Sequence, residues 1–250
     1  MIFKLALRNL LRRRTQSLLA AGAVAGGLSL IIFTTNFQDG SWRGVVDDSI
    51  RAASGHVVVQ AKGYQDEKDA ELLLSDSSTI AEKVRGVAPH THVVRRLFLQ
   101  GMVASPDNTV AIALHGVEPV PESETSQVAD KLTQGAWLPD DDGAWLLIGH
   151  RLAKRLNVSI DDKVVVSISH KGEIQGLPFR VAGIFETGST QLDNFFALAS
   201  LKAAQSMLPG VKDPATQVSI QVPEYQAEAS LLPNVQGALN GDLEILTTST

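Results

Sequence analysis

The side chains that could carry chemistry are few and scattered. His90 and His92 form an H-x-H pair, a spacing that puts two imidazoles on one face of a strand and could ligate a metal. The chain has no cysteine, and no acidic partner stands at ligand spacing, so solvated loop histidines are the expected reading. Asp140-Asp141-Asp142-Gly143 is acidic but lacks the alternate spacing and distal Glu of an EF-hand loop, and reads as a turn between strands. Asp161-Asp162 before Lys163 suits a tight turn entering a strand. No G-x-x-x-x-G-K-[ST] or G-x-G-x-x-G phosphate loop, G-x-S-x-G elbow or H-E-x-x-H helix is present. Nothing assembles a nucleophile, a base and an orienting group. No catalytic residue, cofactor or metal is expected, and the chain does not read as an enzyme.

Charge points elsewhere. Lys4, Arg8, Arg12, Arg13 and Arg14 all fall before Thr15, with no acid among them. With those five set aside, 17 basic side chains remain against 27 acidic ones, a balance of −10. Such a surface repels phosphate backbones, so no nucleic-acid partner is expected. The 250 residues are 44% apolar, enough to bury a core. Absence of cysteine excludes disulfide staples and fits either side of a bacterial inner membrane.

The elements that would position any site begin with an uncharged run from Thr15 to Gln38. As a helix it spans roughly 36 Å, enough to cross a hydrocarbon layer. The basic residues 1–14, with Arg12, Arg13 and Arg14 as the cytoplasmic anchor, and the acids Asp39, Asp47 and Asp48 after the run place the N-terminus in the cytoplasm. Ala23-Val24-Ala25 resembles a signal-peptidase site, but the bulkiest apolar residues follow it, which favours a retained span over a cleaved signal. Gly22, Gly26 and Ser29 share one face at i, i+4 and i+7, a small-residue seam suited to helix packing in lipid. Leu30, Phe33 and Phe37 project within roughly 80° on the same side, toward the periplasmic leaflet. They either line a cavity for a lipophilic substrate or touch bulk lipid and a neighbouring helix. Trp42, Val45, Val46, Ser49 and Ile50 continue helical spacing, so residues 39–54 read as a helical extension into the periplasm.

Beyond it, short strands and helices alternate. Strands are expected at 56–60, 93–104, 109–114, 145–148, 163–169, 177–185, 217–222 and 243–246. Helices are expected at 79–87, 150–156, 200–207 and 224–239, and Glu118 to Thr125 reads as a boundary. The fold class is α+β, with sheets partly antiparallel and helices on one side.

Several blocks, in order, resemble one family. Leu7-Arg8-Asn9-Leu10-Leu11-Arg12-Arg13-Arg14-Thr15 is similar to the lead-in to the first span of MacB-type ABC transporter permeases, especially the lipoprotein-releasing LolC/LolE branch. Ser54-Gly55-His56-Val57-Val58-Val59 resembles their first periplasmic strand. Ile148-Gly149-His150-Arg151-Leu152-Ala153-Lys154-Arg155-Leu156-Asn157-Val158 resembles a glycine-led helix of their inserted subdomain. Phe179-Arg180-Val181-Ala182-Gly183-Ile184-Phe185, Gly188 and Asp193 resemble its closing strand and loop. Asp161-Asp162 stands where relatives tend to carry Gly-Asp.

The resemblance implies a Porter-like subdomain from residues 55–120 and 195–250, and a Sabre-like subdomain inserted at 121–194. It implies a permease component that moves lipoproteins or other envelope substrates with ATP hydrolysed by a separate cytoplasmic ABC ATPase subunit. A second permease copy or paralogue and a periplasmic lipoprotein carrier are implied as further partners, in the bacterial inner membrane. The resemblance implies three further spans and a cytoplasmic coupling helix, so the chain reads as a natural truncation, an engineered fragment or a broken reading frame of such a permease. The other class of function is a membrane-anchored periplasmic binding or adaptor module with no ATPase partner.

Overall fold

The computed structural model describes residues 15, 16, 19, 22–30, 57–67, 72–89, 91–126, 128–221, 228–239 and 243–247. The chain divides into two units, residues 1–48 and 49–250. In the first, residues 22–30 are helical, and among the described residues no helix is long and apolar enough to cross a membrane. Arg12, Arg13, Arg14, Phe33, Phe37 and the extension expected at 39–54 lie outside the described residues, as does most of the expected span.

In the second unit, alternation of apolar and polar side chains builds ten strands into one continuous sheet. In chain order the elements are β1 (Val57–Ala61), α1 (Tyr64–Glu67), α2 (Ser77–Val87), β2 (His92–Ala104), β3 (Thr109–Val117) and α3 (Pro119–Thr125). After a 3₁₀ turn at Ala129–Lys131 come β4 (Leu132–Gly135), β5 (Trp145–Gly149), α4 (His150–Leu156), β6 (Lys163–His170) and β7 (Glu173–Phe185). The remainder is α5 (Thr190–Phe195), β8 (Phe196–Ser200), α6 (Leu201–Ser206), β9 (Gln217–Gln221), α7 (Glu228–Ala238) and β10 (Leu243–Thr247).

The pairing has a consequence that strand order alone hides. β2 pairs β3, β3 pairs β8, β8 pairs β5, β5 pairs β7, β7 pairs β6, and β6 returns to β2. These six strands therefore close a ring, with β3–β8 and β5–β7 parallel and the other contacts antiparallel. Every second residue belongs to the ring core: Leu97, Leu99 and Val103 from β2, Val110, Ile112 and Leu114 from β3, Val164, Val166 and Ile168 from β6. Leu152 and Leu156 of α4 and Leu201 and Ala204 of α6 complete this core. The outer face of the ring shows Gln100, Met102 and Val165 to solvent.

The other strands make an open sheet, β10–β1–β9–β2, antiparallel throughout. Val57, Val59, Val218, Ile220 and Val93 line one face of it, covered by Ala81 and Val84 of α2 and Val235 of α7. Two apolar cores thus share one strand, β2.

Close approach fixes two glycines. A Cβ on Gly116 would lie 2.5 Å from the Cβ of Ala204, so α6 can sit on β3 only because position 116 is bare. Gly149 meets the backbone of Asp193 in the same way at the start of α4.

Expected elements recur with small shifts: α2 begins at Ser77 rather than 79, β3 runs on to Val117, and β7 begins at Glu173 rather than 177. The segment read as a boundary at 118–125 is instead helix α3, started by proline at its first turn. β4, α5 and β8 were not expected. β8 (Phe-Ala-Leu-Ala-Ser) carries little β propensity, and it is a strand because Ala197 and Ala199 fill narrow, fully buried places between β3 and β5. Helices serve two cores rather than one face of the sheet.

The Gly116–Ala204 contact predicts a coupled pair. Gly116→Ala should cost about 1–3 kcal/mol by overpacking. Adding Ala204→Gly should recover part of that loss, giving a coupling of about 1 kcal/mol in a chemical-denaturation cycle.

Candidate functional site: a polar neck between two cores

The sequence of β2 places two arginines side by side inside an apolar run, Val93-Val94-Arg95-Arg96-Leu97-Phe98. Neighbouring residues of a strand point to opposite faces, so both faces of the sheet receive a cation at the same level. A buried cation is tolerated only when paired and hydrogen-bonded.

Arg96 is buried, at 1% exposure, and meets Glu122 of α3, itself at 2%. The pair is bidentate: Nε donates to Oε2 at 2.9 Å and Nη2 to Oε1 at 3.1 Å. Nη1 reaches Ser219 Oγ at 3.5 Å. A row of buried polar side chains continues across the open sheet, with Gln217 Nε2 donating to Ser219 Oγ and Gln60 Nε2 to Gln217 Oε1.

On the opposite face Arg95 bridges two carboxylates. Its Nη2 donates to Glu118 Oε1 at 2.9 Å and its Nη1 to Asp213 Oδ1 at 2.9 Å. Asp213 also accepts from the backbone N–H of Ser78 at 2.6 Å, from Ser77 Oγ and from Gln205 Nε2. One carboxylate thereby ties α2, β2 and α6 together, from a residue in the left-handed region at φ 45°. The segment around it forms a strap, since Leu74 and Ala215 exchange backbone hydrogen bonds and Asp76 N–H donates to Lys212 O.

Between these groups lies a crevice of about 260 Å³, walled by Arg95, Glu118, Pro119, Val120, Leu201 and Gln205 among others. Trp137 Nε1 donates to Pro119 O and pins that wall. Its polar rim is internally paired: Lys202 Nζ holds Asp142 at 2.9 Å, and Asp141 accepts from Trp145 Nε1. The arrangement assembles no nucleophile or base. It can fix the relative position of two packed bodies.

His115 lies beside this neck on β3, its ring centroid 4.2 Å from that of Phe98 and 4.4 Å from that of Phe196. Burial first, and the Arg96 charge second, push its imidazole down to about 3. Asp213 is opposed by partial burial, yet hydrogen bonds from Ser78 and Gln205 and the Arg95 charge together bring its carboxyl down to about 2.

Of the residues singled out from sequence, Gly22, Gly26, Ser29 and Leu30 fall in the helical stretch 22–30. Among the described residues, a Cβ added at Gly22 or Gly26 would meet no atom within 4 Å. His90 lies outside the described residues, and His92 sits on β2 with Nδ1 3.5 Å from Glu124. Among the described residues no cluster of three metal-ligating side chains occurs. Asp140–Gly143 forms a bend held by Asp141 accepting from Gly143 N–H. Asp161 takes φ +70°, a left-handed conformation that glycine adopts most readily. His150, which opens α4, faces Asp193 Oδ2 at 3.6 Å and Glu186 Oε1 at 3.7 Å. Sequence reading missed the neck itself, and two charges within an apolar strand run were the signal for it.

Linkage gives the neck a pH signature. The unfolded chain protonates His115 near 6.5 and the folded one only near 3, so this stability is complete above pH 6.5 and falls as pH drops toward 3. Asp213 adds a loss with the same sign as pH falls from 3.8 toward 2. Urea melts should lose stability steadily from pH 6.5 to 4, and His115→Gln should flatten that slope.

The comparisons with known proteins follow the same outline. The family model described as MacB-like periplasmic core domain matches residues 17–236. Two curated relatives, the "lipoprotein-releasing system transmembrane protein LolC" of Xylella fastidiosa strains Temecula1 and 9a5c, are each 25% identical over 228 residues. That alignment covers 87% of this chain and 52% of the relative, so the chain spans about half their length. Among solved structures, the periplasmic region of MacB from Actinobacillus actinomycetemcomitans superposes with TM-score 0.57 at 14% identity, covering 80% of this chain and 92% of that one. The extracellular domain of the noncanonic ABC-type transporter YknZ from Gram-positive bacteria superposes with TM-score 0.54 at 12% identity, covering 77% and 100%. The α+β fold is thus that of a MacB-type periplasmic domain.

Proposed function

This chain belongs to the MacB-like periplasmic core domain family, and on that premise we propose that it is the first span and periplasmic domain of an ABC transporter permease. The observation that carries the reading is the extent of the match, from inside the apolar N-terminal run through the ring and the open sheet as far as residue 236. In this reading residues 15–38 cross the bacterial inner membrane, with the cations at Arg12, Arg13 and Arg14 retained in the cytoplasm. A separate cytoplasmic subunit hydrolyses ATP, and a second permease copy or paralogue packs beside this one. The small-residue face at Gly22, Gly26 and Ser29 would be the surface on which a neighbouring helix approaches closely.

Residues 55–120 with 195–250, and 121–194, would be the Porter-like and Sabre-like subdomains. An envelope lipoprotein is the proposed cargo, supported by the resemblance to the two LolC proteins. Leu30, Phe33 and Phe37 would meet its acyl chains in the outer leaflet, and a periplasmic carrier would receive it.

The decisive test is capture from membranes. Tagged chain, extended to the full reading frame where one exists, should bring down an ABC ATPase in detergent. Its mass should show an uncleaved N-terminus, whereas a mature end at Gly26 would remove the anchor. Photo-crosslinkers at positions 33 and 37 should label an acylated substrate more than one at Val24, and equal labelling would sink the cavity. Capture of the intact chain with no ATPase would instead favour an anchored adaptor module.

A further inference from the structure

β2 changes partners halfway along its length. From His92 to Arg96 it pairs with β9, and from Arg96 to Ala104 with β3 on its other side. β6 joins the first side only from Gly101 onward. Residues 92–95 therefore have a strand on one side alone, and residues 97–100 a strand on the other side alone. Arg96 is the single residue of that stretch paired on both sides. Among the described strands β2 alone runs through both parts, pairing first with the open sheet and then with the ring.

The backbone groups orphaned by the change are met by side chains. Glu118 Oε2 accepts from the N–H of Arg95 at 3.0 Å, where β3 has ended. Thr216 Oγ1 accepts from the N–H of Phe98 at 2.8 Å, where β9 has ended. Side-chain acceptors of this kind satisfy the strand without making it part of a wide ladder. Above and below the neck the interior is apolar, and at the neck it is charged on both faces. Apolar cores resist deformation because they are close-packed, whereas discrete ion pairs can exchange partners or separate as units.

We propose that residues 95–98 of β2 are a hinge about which the open-sheet lobe moves against the ring, locked at rest by Arg96–Glu122 on one face and by the Arg95–Glu118–Asp213 cluster on the other. β1 and β10, nearest the two ends of the domain, both lie in the open-sheet lobe. A pull or twist applied at either end reaches the ring through this neck and the strap at 72–77 and 208–216. The hinge stands on the geometry of this domain alone, whichever partner drives it.

The chain has no cysteine, so a pair of spin labels can be placed without background. Lys83→Cys on α2 and Ala111→Cys on β3 are both exposed and lie on different lobes. Double electron–electron resonance on the full chain in detergent should give one narrow distance distribution. Replacing the lock as Arg96→Met with Glu122→Leu keeps the volume apolar and the fold intact, as melting will show. It should widen the distribution by about twofold or add a second distance. Thr216→Val should do the same more weakly and raise hydrogen exchange at the Phe98 amide by at least about tenfold. Should the paired replacement fail to fold, Thr216→Val and Asp213→Asn carry the measurement. Distributions as narrow and as centred as the parent's in every folded variant would overturn the hinge. Failure to capture an ATPase would leave it untouched.

Discussion

The seating of α3 on β2, and with it the charged region between the two cores, rests on the bidentate contact between Arg96 and Glu122. An ionised guanidinium at 1% exposure is costly unless its donors are filled, and Glu122 fills two of them with matched geometry. Removing either partner alone strands a buried charge, typically at about 3–5 kcal/mol. The same contact seats α3 against β2, and α3 leads the chain from β3 toward the remaining ring strands. Position and charge are therefore specified together, since this placement of α3 brings Glu122 to Arg96.

Two arginines in adjacent positions divide this labour. Arg96 faces the sheet surface covered by α3, while Arg95 faces the strap and α2. Asp213 accepts from four residues on three segments, so a single carboxylate joins the strap to α2, β2 and α6. Similar solved domains share the outline at 12–14% identity, a level at which the fold is shared and individual side chains are not.

Much of this architecture was legible from sequence where a local rule was strong. The β2–β3 hairpin was visible in the adjacent strand runs at 93–104 and 109–114, and α4 in Gly149 before an apolar periodic stretch ending at Asn157, which takes φ 54°. The ring was not legible. Its closure depends on β8, whose alanines suit a helix in isolation, and on the parallel pairing of β5 with β7 across intervening α4 and β6. Glu122 was hidden for a different reason: proline and glutamate in Glu118–Thr125 mimic a linker, and only the distant arginine makes that glutamate structural. Long-range pairing and buried charge leave little trace in a one-dimensional pattern.

Ring closure also sets a timetable. A ribosome delivers the chain from its N-terminus at about 5–20 residues per second. Val57-Val58-Val59 emerges early, yet both of its strand partners, β9 and β10, come from the last forty residues. For roughly 10–30 s a bare, valine-rich edge has no mate. The ring waits nearly as long, because β3 and β5 have no bridge between them until β8 arrives. The first strand of this domain is thus among the last to be paired, an open edge through most of the domain's synthesis.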